Sequence, residues 1–310
     1  MTDSPPFAES EHSAAFRDAF RTSKHIVVIA GAGLSAASGI PTFRDGGGMW
    51  RSLDSTALAT PEAFEANPSL VWQFYHYRRT KVLAAKANAA HKIIAKMSIR
   101  AQLRKVAPAA KTFHLVTQNI DRLSVDSLND LLTDEPSATA ESNASDKKSR
   151  VVFPDSVLEM HGRIFDIRCT SCKHCEEDRN DPLCPSLGLA DASFNDYTDA
   201  GTKEINIPLE QLPRCRACGA LARPGVVWFG EKPYHLDEIN SIVYKADMCL
   251  VIGTSSTVRP ASTYAYRVQR HGGKVAVFNL DPSKTDERAD FVFRGGCETV
   301  LPSLFPELAT

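Results

Sequence analysis

The chain has 310 residues, 43% of them hydrophobic, enough for one large domain or two modest ones. Its formal net charge of -1 gives no overall field that would favour nucleic acid or an anionic membrane. No apolar run approaches the roughly 18–20 residues of a membrane span, and the eight cysteines, four of them in two Cys-x-x-Cys pairs, suggest a reducing compartment and metal rather than disulfides.

Residues 1–12 read as a disordered lead without the apolar core of a secretory signal. Asp3, Glu9 and Glu11 are unlike an acid-poor mitochondrial presequence, while Arg17, Arg21 and Lys24 keep import open, so the chain is expected inside the cell, in mitochondria or in the cytoplasm and nucleus. Ala14 to Thr22 predicts a short helix. Ile26 to Ala30 is short, apolar and β-branched, the pattern of a buried parallel strand. It breaks into Gly31-Ala32-Gly33, and the small residues Leu34 to Ser38 can start a helix. Strand, glycine turn and helix N-terminus make a phosphate site, because free N–H groups and the positive dipole end face the anion.

Gly31-x-Gly33-x-x-Ala36 fits the loose dinucleotide fingerprint, by itself a weak signal. A dehydrogenase would add a carboxylate about 20 residues on, at the end of a second strand. Asp54 has that spacing, but residues 46–53 do not read as a strand. The stretch from Ile40 to Asp45 is too irregular for a long Rossmann helix and reads as a loop that folds over a ligand.

Thr60-Pro61 and Asn67-Pro68 each look like an N-cap followed by proline at the first helical position, the second opening a helix through residues 71–79. Asn88 caps a further helix, Ala89 to Met97. Phe113 to Thr117 is the next buried strand and ends in Gln118-Asn119-Ile120-Asp121. Residues 133–150 hold no large apolar side chain and read as a disordered surface insertion, and deleting 134–149 should leave stability and turnover nearly unchanged. Val157 to Met160 leads to His161-Gly162. Short strands return at 225–229, 248–252, 275–279 and 291–293. Ligands of open α/β sheets lie at the carboxyl ends of the strands. The turns Gly230-Glu231, Gly253 to Ser256 and Asn279-Leu280-Asp281 should therefore converge with Gly31–Gly33 on one cleft. The predicted fold is α/β, a doubly wound parallel Rossmann-like sheet with a small inserted zinc-binding module. The Rossmann-like part takes 13–165 and 222–310, and the module 166–221, with substrate in the cleft between them.

Cys169, Cys172, Cys215 and Cys218 offer the four thiolates of a closed tetrahedral zinc site, which leaves no open position for catalysis. His174, Cys175 and Cys184 are spare candidates, and unligated core cysteines or a redox pair are the alternative. His161 is either a structural hydrogen-bonder or, with a pKa near working pH, a general base. The Gln118 to Asp121 block could hold a ligand or be an ordinary polar strand end. Tyr75 and Arg78 lie three apart and so share a helix face, although Arg78 and Arg79 also fit a solvated basic face.

Gly31-Ala32-Gly33-Leu34-Ser35 followed by Gly39-Ile40-Pro41-Thr42-Phe43-Arg44 resembles the signature of the sirtuins, NAD-dependent protein deacylases. Similar blocks recur from about residue 26 to about residue 305. The resemblance implies NAD and Zn2+ as cofactors and His161 as the general base, with Asn119 and Asp121 positioning the nicotinamide ribose. It implies NAD contacts from Gly31, Ala32, Gly33, Ala36, Thr42, Phe43, Arg44, Trp50, Gln118 and Ile120. Further contacts come from Gly253, Thr254, Ser255, Asn279, Leu280, Asp281 and Cys297. Val226-Val227-Trp228-Phe229-Gly230-Glu231 is similar to the acyl-lysine channel and the strand that pairs with an extended substrate peptide. Ala59, Tyr75 and Arg78 look like the class III sirtuins, where a Tyr-x-x-Arg pair reads an acidic acyl chain. Ser124 departs from the family, which commonly has histidine there. The implied activity removes succinyl, malonyl or glutaryl groups, and weakly acetyl, from protein lysines, giving nicotinamide and O-acyl-ADP-ribose. The partners implied are acyl-lysine proteins bound as extended peptide; no specific nucleic acid or membrane is expected, and the sequence leaves the oligomeric state open, a monomer being the expectation. An NAD-dependent dehydrogenase, a deacetylase of another sirtuin class and a non-enzymatic ADP-ribose or peptide reader are the alternatives.

Overall fold

The computed structural model describes residues 10–42, 49–51, 53–133, 152–195 and 205–309. Phe43, Arg44 and the expected insertion from 134 onward lie outside the described residues. Helix α1 (Glu11–Thr22) precedes strand β1 (His25–Ala30), and two 3₁₀ turns follow, Ala32–Leu34 and Ala36–Ser38. Ser10 caps α1, so residues 10–12 belong to the fold rather than to the lead. A two-residue ladder, β2 (Met49–Trp50) with β3 (Leu53–Asp54), leads to helices α2 (Ser55–Leu58), α3 (Pro61–Ala66) and α4 (Pro68–Ala84). Then come α5 (Ala89–Met97), α6 (Arg100–Val106), β4 (Thr112–Thr117), α7 (Leu123–Thr133) and β5 (Val157–Glu159). Strands β6 (Gly162–Cys169) and β7 (Cys175–Glu177), helix α8 (Pro185–Asn195) and β8 (Ala222–Val226) form the next stretch. The chain closes with α9 (Leu236–Lys245), β9 (Met248–Ile252), α10 (Tyr264–Arg270), β10 (Lys274–Asn279), β11 (Phe291–Arg294), α11 (Cys297–Leu304) and α12 (Pro306–Ala309).

Contacts group the described residues into two compact units, divided after Ser38, Ala85, Met160 and Tyr234. In the first, six parallel strands lie in the order β11-β10-β9-β1-β4-β5. Each central strand is buried on both faces, which is why it reads as an unbroken apolar run. Side chains alternate between two cores. Ile26, Val28, Leu250, Ile252 and Phe278 point to one, with Phe16, Phe20 and Phe305, while Val27, Ile29, Val251 and Val277 point to the other. From β1 the order runs outward through β4 and β5 on one side, and the later strands fill the other side. β1 and β9 therefore flank the point where strand order reverses, the place where open α/β sheets bind ligands.

The second unit carries an antiparallel sheet, β7-β6-β8, together with α2, α3, α4 and α8. The expected caps are in place: Thr60 Oγ1 accepts the Ala63 N–H at 3.1 Å and Asn67 Oδ1 the Leu70 N–H at 2.9 Å. α4 is buried nearly all round, and the Trp72 indole donates to Ala222 O at 2.9 Å. Three expectations shift. The segment after Gly33 makes 3₁₀ turns instead of opening a helix, because Asn88 Nδ2 takes the Leu34 carbonyl at 2.8 Å. The β2–β3 ladder is too short to show a period. The strand expected at 225–229 is β8, three residues earlier; as an edge strand of its sheet it tolerates Pro224.

Candidate functional site

In the first unit the turns after β1, β4, β9 and β10 are tied together by backbone and amide hydrogen bonds. Gly31 N–H donates to Ile252 O at 3.0 Å and Gly33 N–H to Gly253 O at 2.8 Å. Gly253 sits at φ 60°, and a Cβ there would lie 2.2 Å from Leu34 N, so only glycine lets the two turns touch. Gln118 Nε2 donates to Ala30 O (3.3 Å) and Thr254 Oγ1 (3.2 Å), Asn119 Nδ2 to Gly31 O (3.0 Å), and Asn279 Nδ2 to Thr254 O (3.0 Å). The buried Cys297 packs its sulfur 3.6 Å from Gly33 O. Ala32, Ile120 and Ser255 are half-buried beside this cluster in sequence, and Ala36, Leu280 and Asp281 are exposed. An exposed carboxylate past a strand end, as at Asp281, suits ribose hydroxyls.

Sequence reasoning missed the network behind Asp121. His91, fully buried in α5, receives the Asn88 N–H on Nδ1 at 3.3 Å. Its Nε2–H therefore faces Ser35 Oγ, also at 3.3 Å. Burial pushes this imidazole down to about 4, so it is neutral. Ser35 donates to Asp121 Oδ2 at 2.6 Å and accepts from Asn119 Nδ2 at 3.1 Å, while Asp121 Oδ1 caps α7 through the Leu123 N–H at 3.0 Å. The carboxylate and the Asn119 amide are thus oriented by one buried serine. The only sequence signal was the Asn88 cap, since histidine at its third helical position closes a capping box. Ser124, at the position of the family's histidine, is buried in α7.

In the second unit His161 stands in the turn before β6, half-buried, with its carbonyl accepting the Val227 N–H at 2.8 Å. Gly162 has φ 76°, and a Cβ on it would come within 2.4 Å of Gly225 O. Gly162→Ala is expected to destabilise the protein by at least about 2 kcal/mol, the left-handed cost plus the clash. A denaturant midpoint within error of wild type would show that this turn has slack.

Tyr75 is 3% exposed on α4, and Trp228 Nε1 donates to its hydroxyl oxygen at 3.0 Å. Burial raises its pKa to about 12 against the opposing charge of Arg78, so Tyr75 stays a neutral phenol. Arg78 is half-buried with its guanidinium 5.7 Å from the Phe74 ring centre. The Phe229 N–H donates to Ala59 O at 2.9 Å. Val227 to Gly230 follow β8 as a turn, with Trp228 buried and Phe229 and Gly230 exposed. Glu231 binds within the chain: its carboxylate accepts from Arg223 at 2.6 and 2.9 Å and from the Trp228 N–H at 2.8 Å. Trp50 packs against Phe74 at 5.6 Å and Tyr77 at 6.5 Å, and Thr42 is half-buried. Arg79 does not belong to a solvated face. It is 1% exposed and donates to the Ile164, Asp178 and Asn180 carbonyls at 3.1, 2.6 and 3.1 Å.

The Sγ atoms of Cys169, Cys172, Cys215 and Cys218 all lie within 4.8 Å of one another. A tetrahedral ion with metal–sulfur bonds of about 2.3 Å needs sulfurs about 3.8 Å apart; Cys172 and Cys215 stand at 3.7 Å and Cys169 and Cys218 at 3.4 Å. The Cys172 and Ser171 N–H groups donate to Cys169 Sγ at 3.2 and 3.3 Å, contacts that favour its thiolate. This donor set fits zinc. His174, Cys175 and Cys184 fall outside the cluster. No helix among the described residues is long and apolar enough to cross a membrane.

The candidates therefore fall into a group of glycine turns and amides on the parallel sheet and a group of aromatic, basic and cysteine side chains on the second unit. Known proteins carry the same pattern over almost the whole length. A protein of Canis lupus familiaris named NAD-dependent protein deacylase sirtuin-5, mitochondrial, is 42% identical over 299 residues, 94% of this chain and 84% of the relative. A Daphnia pulex protein named NAD-dependent protein deacylase is 36% identical, over 93% of this chain and 94% of its own. The crystal structure of a Sir2 homologue in complex with NAD superposes with a TM-score of 0.70 at 30% identity, covering 95% of this chain and 93% of that one. The profile of the Sir2 family matches residues 31–132 and 146–260, which include the glycine turn, the Gln118 to Asp121 block, His161 and all four clustered cysteines. With turns, strand order and cysteine cluster in agreement, the chain belongs to the Sir2 family.

Proposed function

We propose that this protein is an NAD-dependent protein-lysine deacylase that prefers acidic acyl chains, succinyl, malonyl or glutaryl, and acts on acyl-lysine presented in an extended peptide. The deacylase reading is supported by the family and by the names of the relatives. The acidic preference is supported chiefly by one observation, the buried phenol of Tyr75 one helical turn from Arg78. The relatives named mitochondrial favour an intracellular, mitochondrial enzyme.

NAD, when bound, supplies an electrophilic ribose carbon and nicotinamide as the leaving group. The residues suited to hold it are Gly31, Gly33, Gln118, Gly253, Thr254, Asn279 and Asp281. Asn119 and Asp121, oriented through Ser35, position the ribose next to the nicotinamide. With NAD bound, His161 would accept the proton of a ribose hydroxyl as general base, the role that transfer of the acyl group from lysine to the sugar requires. Tyr75 and Arg78 receive the acyl carboxylate, by a neutral O–H donor and a guanidinium fork. The clustered cysteines hold a structural zinc, since a closed four-sulfur shell offers no open position.

An unpaired carboxylate in an apolar channel costs several kcal/mol, and Arg78 offsets that cost. Arg78→Met should lower kcat/KM on a succinyl-lysine peptide by about 2 kcal/mol, a factor of tens, and far less on acetyl-lysine. Equal losses on both substrates would make Arg78 a structural residue. A wild type that prefers acetyl-lysine would leave the deacylase reading standing without the acidic preference, and reduced-cofactor absorbance without nicotinamide release would favour a dehydrogenase.

A further inference from the structure

We infer that Arg223 and Glu231 are positioning residues for acyl-chain selection, holding the Trp228 indole so that Tyr75 meets the acyl group only as a hydrogen-bond donor. The inference rests on the reading that Tyr75 and Arg78 receive the acyl carboxylate. Tyr75 is buried, and its phenol oxygen accepts the Trp228 Nε1–H at 3.0 Å. Indole can only donate and a phenol has one proton, so this contact occupies the accepting side of Tyr75 and leaves its O–H to be donated. A carboxylate matches that O–H, whereas an uncharged methyl offers nothing to it.

Selection by this route requires the indole to stay in its plane, and three contacts keep it there. The Arg223 guanidinium lies 3.5 Å from the Trp228 ring centre. Glu231 grips that guanidinium at 2.6 and 2.9 Å and also accepts the backbone N–H of Trp228 at 2.8 Å, fixing cation and indole to the same carboxylate. Phe64 packs on the ring with centroids 5.3 Å apart. Arg223 further donates to Val226 O at 3.1 Å, so the clamp is anchored on β8. Neither Arg223 nor Glu231 hydrogen-bonds Tyr75; their charges reach it in opposite senses, and their positioning contacts run through Trp228.

The test compares kcat/KM for succinyl-lysyl and acetyl-lysyl peptides with saturating NAD in the full-length wild type and in Trp228→Phe, Arg223→Met and Arg223→Lys. Trp228→Phe and Arg223→Met should each lower the succinyl-to-acetyl ratio about tenfold, as for one weakened hydrogen bond to a charged partner. The loss should fall on KM for the succinyl peptide, and Arg223→Lys should recover part of it. Should Arg223→Met fail to fold, Glu231→Gln, which keeps an acceptor for the Trp228 N–H and weakens the grip on the guanidinium, decides the matter by the same fall in the ratio. A wild-type preference for succinyl-lysine that survives unchanged in the variants overturns this inference alone. Absence of that preference in the wild type overturns the Tyr75–Arg78 reading and this inference with it.

Discussion

Replacing His161 with alanine should reduce deacylation by about 10²–10⁴-fold, the usual contribution of a positioned general base. Imidazole is the side chain whose chemistry in general suits proton transfer near neutral pH. The backbone here is pinned: the His161 carbonyl accepts the Val227 N–H, and Gly162 holds a left-handed conformation against Gly225. Removing the side chain leaves these contacts intact, so the variant should melt close to wild type, keep its zinc and bind ADP-ribose with similar affinity by calorimetry. The expected signature is lost turnover with retained binding. Near-normal turnover by His161→Ala, measured by mass spectrometry of the acyl peptide, would falsify the assignment.

The second large effect is expected at Cys215. It is buried, whereas Cys172 and Cys218 are exposed and Cys169 is intermediate. Serine there would replace a thiolate by a poor zinc ligand, and structural zinc sites of this kind contribute about 10–16 kcal/mol in isolated peptides. Cys215→Ser should bring metal content down from about one zinc per chain and lower the melting temperature strongly. Turnover should fall with it, because β6 and β8 lead directly into the cysteine cluster at one end and into His161 and Trp228 at the other. Cys175→Ser, at an exposed position outside the cluster, is the matched control and should change neither zinc nor melting. Full zinc occupancy with wild-type stability in Cys215→Ser would rule out a structural metal there.

The legible parts of this chain are those where one local pattern carries one physical demand. β9 was readable at Met248–Ile252 because burial on both faces leaves no polar residue in the run. The α3 and α4 starts were readable because Thr60 and Asn67 each supply an oxygen to an orphan N–H and the following proline lacks one. The cysteine pairs were readable because zinc asks for that spacing. What the pattern hid was long-range. Ser35 and His91 meet across two elements, the Asn88 cap giving no hint of the pairing itself, and Ser35 links it to Asp121. Arg79 looked like a surface cation because α4, buried on nearly every side with Ser69, Gln73 and His76 among its inward residues, gives no phase from which to tell its faces. Glu231 accepts from Arg223 and from the Trp228 N–H, a partnership that the run Val226 to Glu231 does not announce. β8 was misplaced because Ala222-Arg223-Pro224 has little strand character and is admitted only at a sheet edge.

The strand order also has a consequence for synthesis on the ribosome. β1 pairs with β4 on one side and with β9 on the other, where Ile26 lies opposite Met248. Until that late segment has emerged, one edge of this apolar strand carries an unfilled row of N–H and C=O groups. Such a row is a template for pairing with another nascent chain. Closing so distant a contact is slow, since a long loop must be ordered before the pairing rewards it. The glycine turn after β1 is caught in the same delay, because Gly31 N–H finds its acceptor on Ile252. The glycine turn is thus completed only once β9 has emerged, and a chain halted before β9 would carry its aggregation-prone edge and its unfinished turn together.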